Sequence, residues 1–249
     1  MAYRWLKLAT PTKYFSIERV NVEQVLPIFL VYPLSVFSLS LLKTVFILKI
    51  GTIILAAGAS TRMGGEPKQL LHYKGQSLMR RISETALATQ AGPVVVVLGA
   101  NRERIVPELA GLPLTLVDNA AWQTGMASSL KTGLAALYIT HKDIDAVMVL
   151  LTDQPLVSVG LLLHMLDTYV NNDKGIIACR YDDQLGVPVL FDRNYIEQML
   201  QLEGDKGAKW IIVKHRQDCI EVPFEAGAID LDSKRDVELF AQAQLGTIP

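Results

Sequence analysis

"ILAAGASTRMGGEPKQLL", Ile54 to Leu71, decides the reading of this chain. An apolar run that reads as a buried strand passes straight into a loop holding Gly58, Gly64 and Gly65, one arginine and one lysine. Glycines there permit close backbone approach and unusual dihedral angles. Successive exposed N–H groups ahead of a helix make an anion cradle. Arg62 supplies a planar, multidonor group suited to phosphate oxygens, and Lys68 a compact positive charge. The loop is not a P-loop, because Glu66 rather than lysine follows Gly65. The glycine spacing of a dinucleotide fingerprint is absent as well. The ligand these residues predict is a phosphate-bearing anion.

Outward from the loop, short apolar runs alternate with segments of helical period. "SLMRRISETALATQ" reads as a helix with Ser77 as N-cap. Val94 to Leu98 is a β-branched strand, a short helix spans Arg102 to Leu109, and "LTLVDN" is a third strand. "MASSLKTGLAALYIT" is a helix and "DAVMVLLTD" a fourth strand. A helix "GLLLHMLDTYV", strands "GIIACR" and "GVPVLF", helical stretches near Arg193–Leu202 and Lys206–His215, and a final helix from Lys234 follow. This alternation predicts an α/β fold: a Rossmann-like, mostly parallel sheet with helices on both faces. In such sheets ligands bind at the carboxyl ends of the strands, and each polar motif singled out below follows a strand or sits on a nearby connection.

Half of the residues are hydrophobic and the formal net charge is −1, so a sizeable core is available and electrostatic capture of nucleic acid is disfavoured. Cys179 and Cys219 lie far apart in the sequence and outside metal-ligand spacing, and read as reduced thiols of a cytoplasmic protein. Residues 50–249 read as one catalytic domain. Residues 1–49 read as an N-terminal extension outside the catalytic fold, with an upstream start of the reading frame as the simplest account. Within it Val25 to Leu42 is an uncharged run long enough to span a membrane, interrupted by Pro27 and Pro33. A membrane anchor is therefore the less favoured alternative.

The loop also resembles a known signature, Leu-Ala-Ala-Gly followed by Ser, Arg-Met-Gly and Lys. "VVLGA", "NAAWQTGMASSLKTGL", "LLTDQP", "GVPVLF", "GDKGAKWII" and "DLDSKRDVE" follow in order. Together these resemble the molybdenum cofactor cytidylyltransferases within the MobA-like NTP transferases, over roughly Ile50 to Glu238. The resemblance implies the nucleotide-diphospho-sugar transferase type of fold. It implies transfer of CMP from CTP to the terminal phosphate of a molybdopterin-type cofactor, with Mg2+ required and pyrophosphate released. A molybdenum hydroxylase would be the partner that receives the product. The nucleophile is already an anionic oxygen, so positioning and charge neutralisation are what such a transfer needs.

By the same resemblance, Leu55, Ala56, Ala57, Gly58, Ser60, Arg62, Gly64 and Lys68 surround the triphosphate. Arg62 would grip the β- and γ-phosphates, and Lys68 would stabilise charge at the α-phosphate. Asp153, at the end of its strand, is the first metal ligand expected, because magnesium prefers hard oxygen donors. Asp232, with Asp230 as its alternative, is the second; the two read as sharing a strand face. Gly125, Ser128 and Ser129 border the base and ribose. Gly186, Pro188, Asp205, Lys206 and Gly207 face the acceptor. Val187 departs from the pattern, since relatives carry His there. Two alternatives stand beside this reading: a nucleotidyltransferase for a sugar or alcohol phosphate, and a non-catalytic carrier of the cofactor.

Overall fold

The computed structural model describes residues 6–7, 46–231 and 233–245. Leu6–Lys7 pairs antiparallel with Phe46–Ile47 in a two-stranded ribbon immediately before the first core strand. The segment Val25 to Leu42 lies outside the described residues, and among those described no helix is long and apolar enough to cross a membrane.

Seven strands form the central sheet: β1 (Ile50–Leu55), β2 (Val94–Leu98), β3 (Thr115–Asp118), β4 (Ala146–Leu151), β5 (Ile176–Tyr181), β6 (Gln184–Asp192) and β7 (Cys219–Pro223). Their order is β7-β5-β6-β4-β1-β2-β3. β1 runs parallel to both β2 and β4, β2 parallel to β3, and β5 parallel to β7, whereas β6 is antiparallel to both its neighbours. The mostly parallel sheet expected from the sequence is therefore present, with one reversed strand.

Helices α1 (Leu78–Ala88), α2 (Arg102–Ile105), α3 (Met126–Thr140), α4 (Val159–Val170), α5 (Ile196–Leu200), α6 (Ala208–Lys214) and α7 (Lys234–Leu245) complete the fold. The predicted N-cap of α1 is realised, with Ser77 Oγ accepting from Arg80 N. The inner strands are buried on both faces, the edge strands β3 and β7 are more exposed, and alternate residues of the inner strands divide between two cores. Ile54, Val96 and Leu150 join Met79, Ile82, Leu162 and Met165 on one side. Ile53, Val97 and Val149 join Leu130, Leu134, Ile211 and Ile212 on the other. That division follows from the period-2 geometry of a strand. Gly133 lets α3 lie close on the sheet: a Cβ there would come within 2.6 Å of Ile53 Cγ2.

Three features escaped the sequence reading. "CIEVP", to which the sequence reading gave no element, is an edge strand. Residues 72–77 form a small hairpin, His72–Tyr73 against Gln76–Ser77. Its turn holds Lys74 and Gly75 at φ 50 and 82. In the stretch "AIDLDS", Ala228 closes a 3-10 turn, Glu225–Ala228, and Ile229, Asp230 and Leu231 are irregular chain rather than strand. Asp232 itself lies outside the described residues.

Candidate active site

The sheet order reverses at the β1/β4 pair, since the chain runs from β1 outward to β2 and β3 and then returns to β4 on the opposite side. A crevice opens at the carboxyl end of such a pair. Two connections lie at that end of the sheet, the Gly58–Lys68 loop after β1 and the Thr152–Gln154 bend after β4. Here Lys68 Nζ donates to Asp153 Oδ2, across 85 residues of sequence. Both side chains are largely buried, 18% and 8% exposed. Asp153 Oδ1 is buried and, among the described residues, has no hydrogen-bond partner. A buried carboxylate oxygen without a donor is costly, and its chemistry fits a hard divalent cation.

The loop is braced from within. Ser60 adopts the left-handed conformation at φ 53, and its Oγ accepts from Lys68 N at 3.0 Å. Arg62 stands exposed on a 3-10 turn, Thr61–Met63, anchored by buried Met63 and closed by Gly64 at φ 72. Gln69 is only 1% exposed. Its Nε2 donates to Ala56 O at 3.1 Å and Gly58 O at 3.3 Å, and its Oε1 accepts from Ser60 Oγ at 3.4 Å. On the far side, Ala57 O accepts from Ala100 N at 3.0 Å. The partly buried end of β1 at Leu55 feeds this loop directly.

The expected base-side and acceptor-side segments are in contact. Gly125 caps α3 at φ 113, and a Cβ there would lie 2.3 Å from Gly204 C and O. Ala127 N donates to Gly204 O at 3.0 Å. A Cβ on Gly207 would lie 2.3 Å from Met126 Sδ. Ser128 and Ser129 hold Asn119, whose Nδ2 donates to their hydroxyls at 2.8 and 2.9 Å. Asp205 is exposed. Lys206 Nζ sits 5.4 Å from the Trp210 ring centroid, beside a cleft between α5 and α6.

Gly186 and Pro188 line β6 near Asp153. Tyr181 covers Gly186 so closely that a Cβ there would meet its hydroxyl at 2.2 Å. Burial pushes the Tyr181 phenol up, and the Asp230 and Asp153 charges add to that. Both carboxylates therefore lie near this ring. Leu231 N donates to Asp153 O at 3.1 Å, which brings the Asp230 segment alongside, with Asp230 exposed. Gln154 joins the wall to the turn below it, donating to Val187 O at 3.0 Å and Gly227 O at 3.3 Å. Among the described residues no group of three or more His, Cys, Asp or Glu converges on a metal position. Magnesium held by one or two carboxylates and substrate phosphates needs no such cluster.

Gln69, Asn119 and Gln154 were not singled out by sequence. Each is buried and each immediately follows a strand or a charged site residue. A carboxamide in so apolar a setting must find partners, and that was the available signal.

A glycine-bearing loop, a lysine and an orphaned carboxylate meeting at the switch point of an α/β sheet define a nucleotidyltransferase-type protein. The chain belongs to the MobA-like NTP transferase domain family, which matches residues 52–219. Among curated relatives, nicotine blue oxidoreductase of Paenarthrobacter nicotinovorans is 31% identical over 197 residues, covering 73% of this chain and 91% of that protein. Bifunctional protein GlmU of Mycolicibacterium smegmatis is 33% identical over 127 residues, 49% of this chain and 26% of that one. The crystal structure of Rv0371c from Mycobacterium tuberculosis superposes with a TM-score of 0.68 at 26% identity, over 78% of this chain and 98% of that one. A second structure of Rv0371c is a manganese complex.

Proposed function

We propose that the protein transfers CMP from CTP to the terminal phosphate of molybdenum cofactor. A phosphate oxygen of the acceptor forms a bond to the α-phosphorus, the bond from that phosphorus to the β-bridging oxygen breaks, and pyrophosphate leaves. No proton needs to move, consistent with a site built from Lys68, Arg62 and Asp153 without a histidine. The observation that carries this reading is the meeting of Lys68 with buried Asp153 beneath the glycine-bearing loop. Lys68 would stabilise charge on the α-phosphate, and Arg62 would bind the outer phosphates. Asp153, with Asp232 or Asp230 as the second ligand, would hold a divalent cation, Mg2+ in this reading. That ion would supply neutralisation of the polyphosphate charge. Gly125, Ser128 and Ser129 would border the nucleoside, and Gly186, Pro188 and the Asp205–Gly207 loop the acceptor. Residues 50–249 would form the working domain, in the cytoplasm, passing product to a molybdenum hydroxylase.

A sugar or alcohol phosphate acceptor is the second reading. It is favoured by Val187, where the cofactor-transferring pattern carries His, and by the "PKQLL" loop style. The P. nicotinovorans relative bears an oxidoreductase name, so the assay must also be able to reject transfer altogether. Equilibrium binding of CTP, GTP, ATP and UTP with Mg2+, followed by pyrophosphate release with each acceptor, tests the proposal. CTP preference and release with molybdenum cofactor are the expected results. Release only with a sugar or alcohol phosphate transfers the assignment to the second reading. Binding of the cofactor with no turnover leaves a carrier.

A further inference from the structure

We propose that Gln69 is a positioning residue that sets the anion cradle by fixing the direction of the peptide units around Gly58. The inference rests on the nucleoside triphosphate reading and assigns a task to a side chain outside the expected binding set. Three consecutive carbonyls leave β1 already committed. Ala56 O and Gly58 O accept the two protons of the Gln69 amide, at 3.1 and 3.3 Å. Ala57 O, between them, accepts from Ala100 N at 3.0 Å on the β2 side. In a planar trans peptide the N–H points opposite to the C=O. Fixing these carbonyls therefore turns the N–H groups of Ala57 and Ala59 away from Gln69, and that of Gly58 away from Ala100. Among the described residues, none of those three amides donates to the protein. The space over Gly58 is open, with no atom within 4 Å of where a Cβ would stand.

The same side chain links the cradle to the lysine. Gln69 Oε1 accepts from Ser60 Oγ at 3.4 Å, and that oxygen in turn accepts from Lys68 N at 3.0 Å. Amide direction and the backbone position of Lys68 are thereby set by one buried carboxamide. An apolar side chain of equal length fills the volume but leaves the buried Ala56 carbonyl and the part-buried Gly58 carbonyl without that donor. Those peptides can then rotate to find other partners, and the outward N–H groups rotate with them.

The test uses the full chain and the nucleoside triphosphate that the wild type binds most tightly, with Mg2+, alongside the matching nucleoside without phosphates. Gln69→Met is expected to raise the triphosphate Kd by about tenfold or more while leaving nucleoside binding within about twofold of wild type. Ile82→Val, a buried change in α1 remote from the loop, should lower stability without altering either Kd. Gln69→Asn, too short to reach both carbonyls, serves if the methionine variant does not fold, and the same split is expected. A triphosphate Kd unchanged in a folded Gln69 variant overturns the proposal. So does equal loss of triphosphate and nucleoside binding, which would mark Gln69 as structural support alone. A wild-type chain that binds no nucleoside triphosphate defeats the functional reading itself, a result distinct from either.

Discussion

Replacing Lys68 by methionine removes a charge while keeping the length of the stem. In the wild type the ammonium is bonded to Asp153, with side-chain exposures of 18% and 8%. Without it the carboxylate stays buried, and its Oδ1 already lacks a partner. Breaking a fully buried pair from one side costs about 3–5 kcal/mol, whereas an exposed pair is worth about 0–1 kcal/mol. The partial exposure of Lys68 places the expected loss for Lys68→Met at about 2–3 kcal/mol. Urea denaturation of wild type, Lys68→Met, Asp153→Leu and the double variant measures it. The double variant should recover most of the loss, giving a coupling energy of about 2 kcal/mol. Millimolar Mg2+ should stabilise Lys68→Met more than wild type, because Asp153 is then available to the cation. Turnover should fall by about 10²–10³. An unchanged urea midpoint, or coupling within about 0.5 kcal/mol, would show that the ion pair is not made in the folded chain, and the site would lose its centre.

Gly125→Ala places a Cβ against Gly204 at a positive φ, so stability should drop by about 1–3 kcal/mol, and nucleotide and acceptor binding should weaken together; a melting curve and two titrations check it. Burial pushes the Cys179 thiol up to about 12 and the Cys219 thiol to about 11. Native alkylation at pH 8.5 should therefore run about a hundredfold or more slower than for a free thiol, and mass spectrometry should show both labelled once the chain unfolds. Chelation should abolish pyrophosphate release and added Mg2+ or Mn2+ should restore it; full activity in EDTA would remove the metal from the scheme. Burial raises the Asp145 carboxyl, so the folded chain holds that proton more tightly than the unfolded one. Its favourable contribution is complete below the ordinary carboxylate value and lost as pH rises through the raised folded value. Asp145→Asn should flatten the stability profile across that window, as followed by denaturation against pH.

The sequence by itself determined the element types, because buried strands and amphipathic helices write their periods locally. Val94–Leu98 and Met126–Thr140 are legible in this way, and so is the strand-to-loop passage at Gly58. It also placed Arg62, Lys68 and Asp153 next to strand ends, where the sheet presents ligand groups. It did not show that "CIEVP" is a strand, since only pairing with β5 makes that edge segment regular. It read the Asp230 segment as strand, whereas Ile229–Leu231 is irregular chain tied to Asp153 O through the Leu231 N–H rather than through a ladder. Tertiary structure alone decided that Lys68 reaches Asp153, and that Gly125 rests on Gly204. The physical reason is that strand order, set by packing of both sheet faces at once, chooses which loops become neighbours. Local sequence carries no record of that choice. The buried amides of Gln69, Asn119 and Gln154 became meaningful only when the carbonyls and hydroxyls they serve were brought within reach.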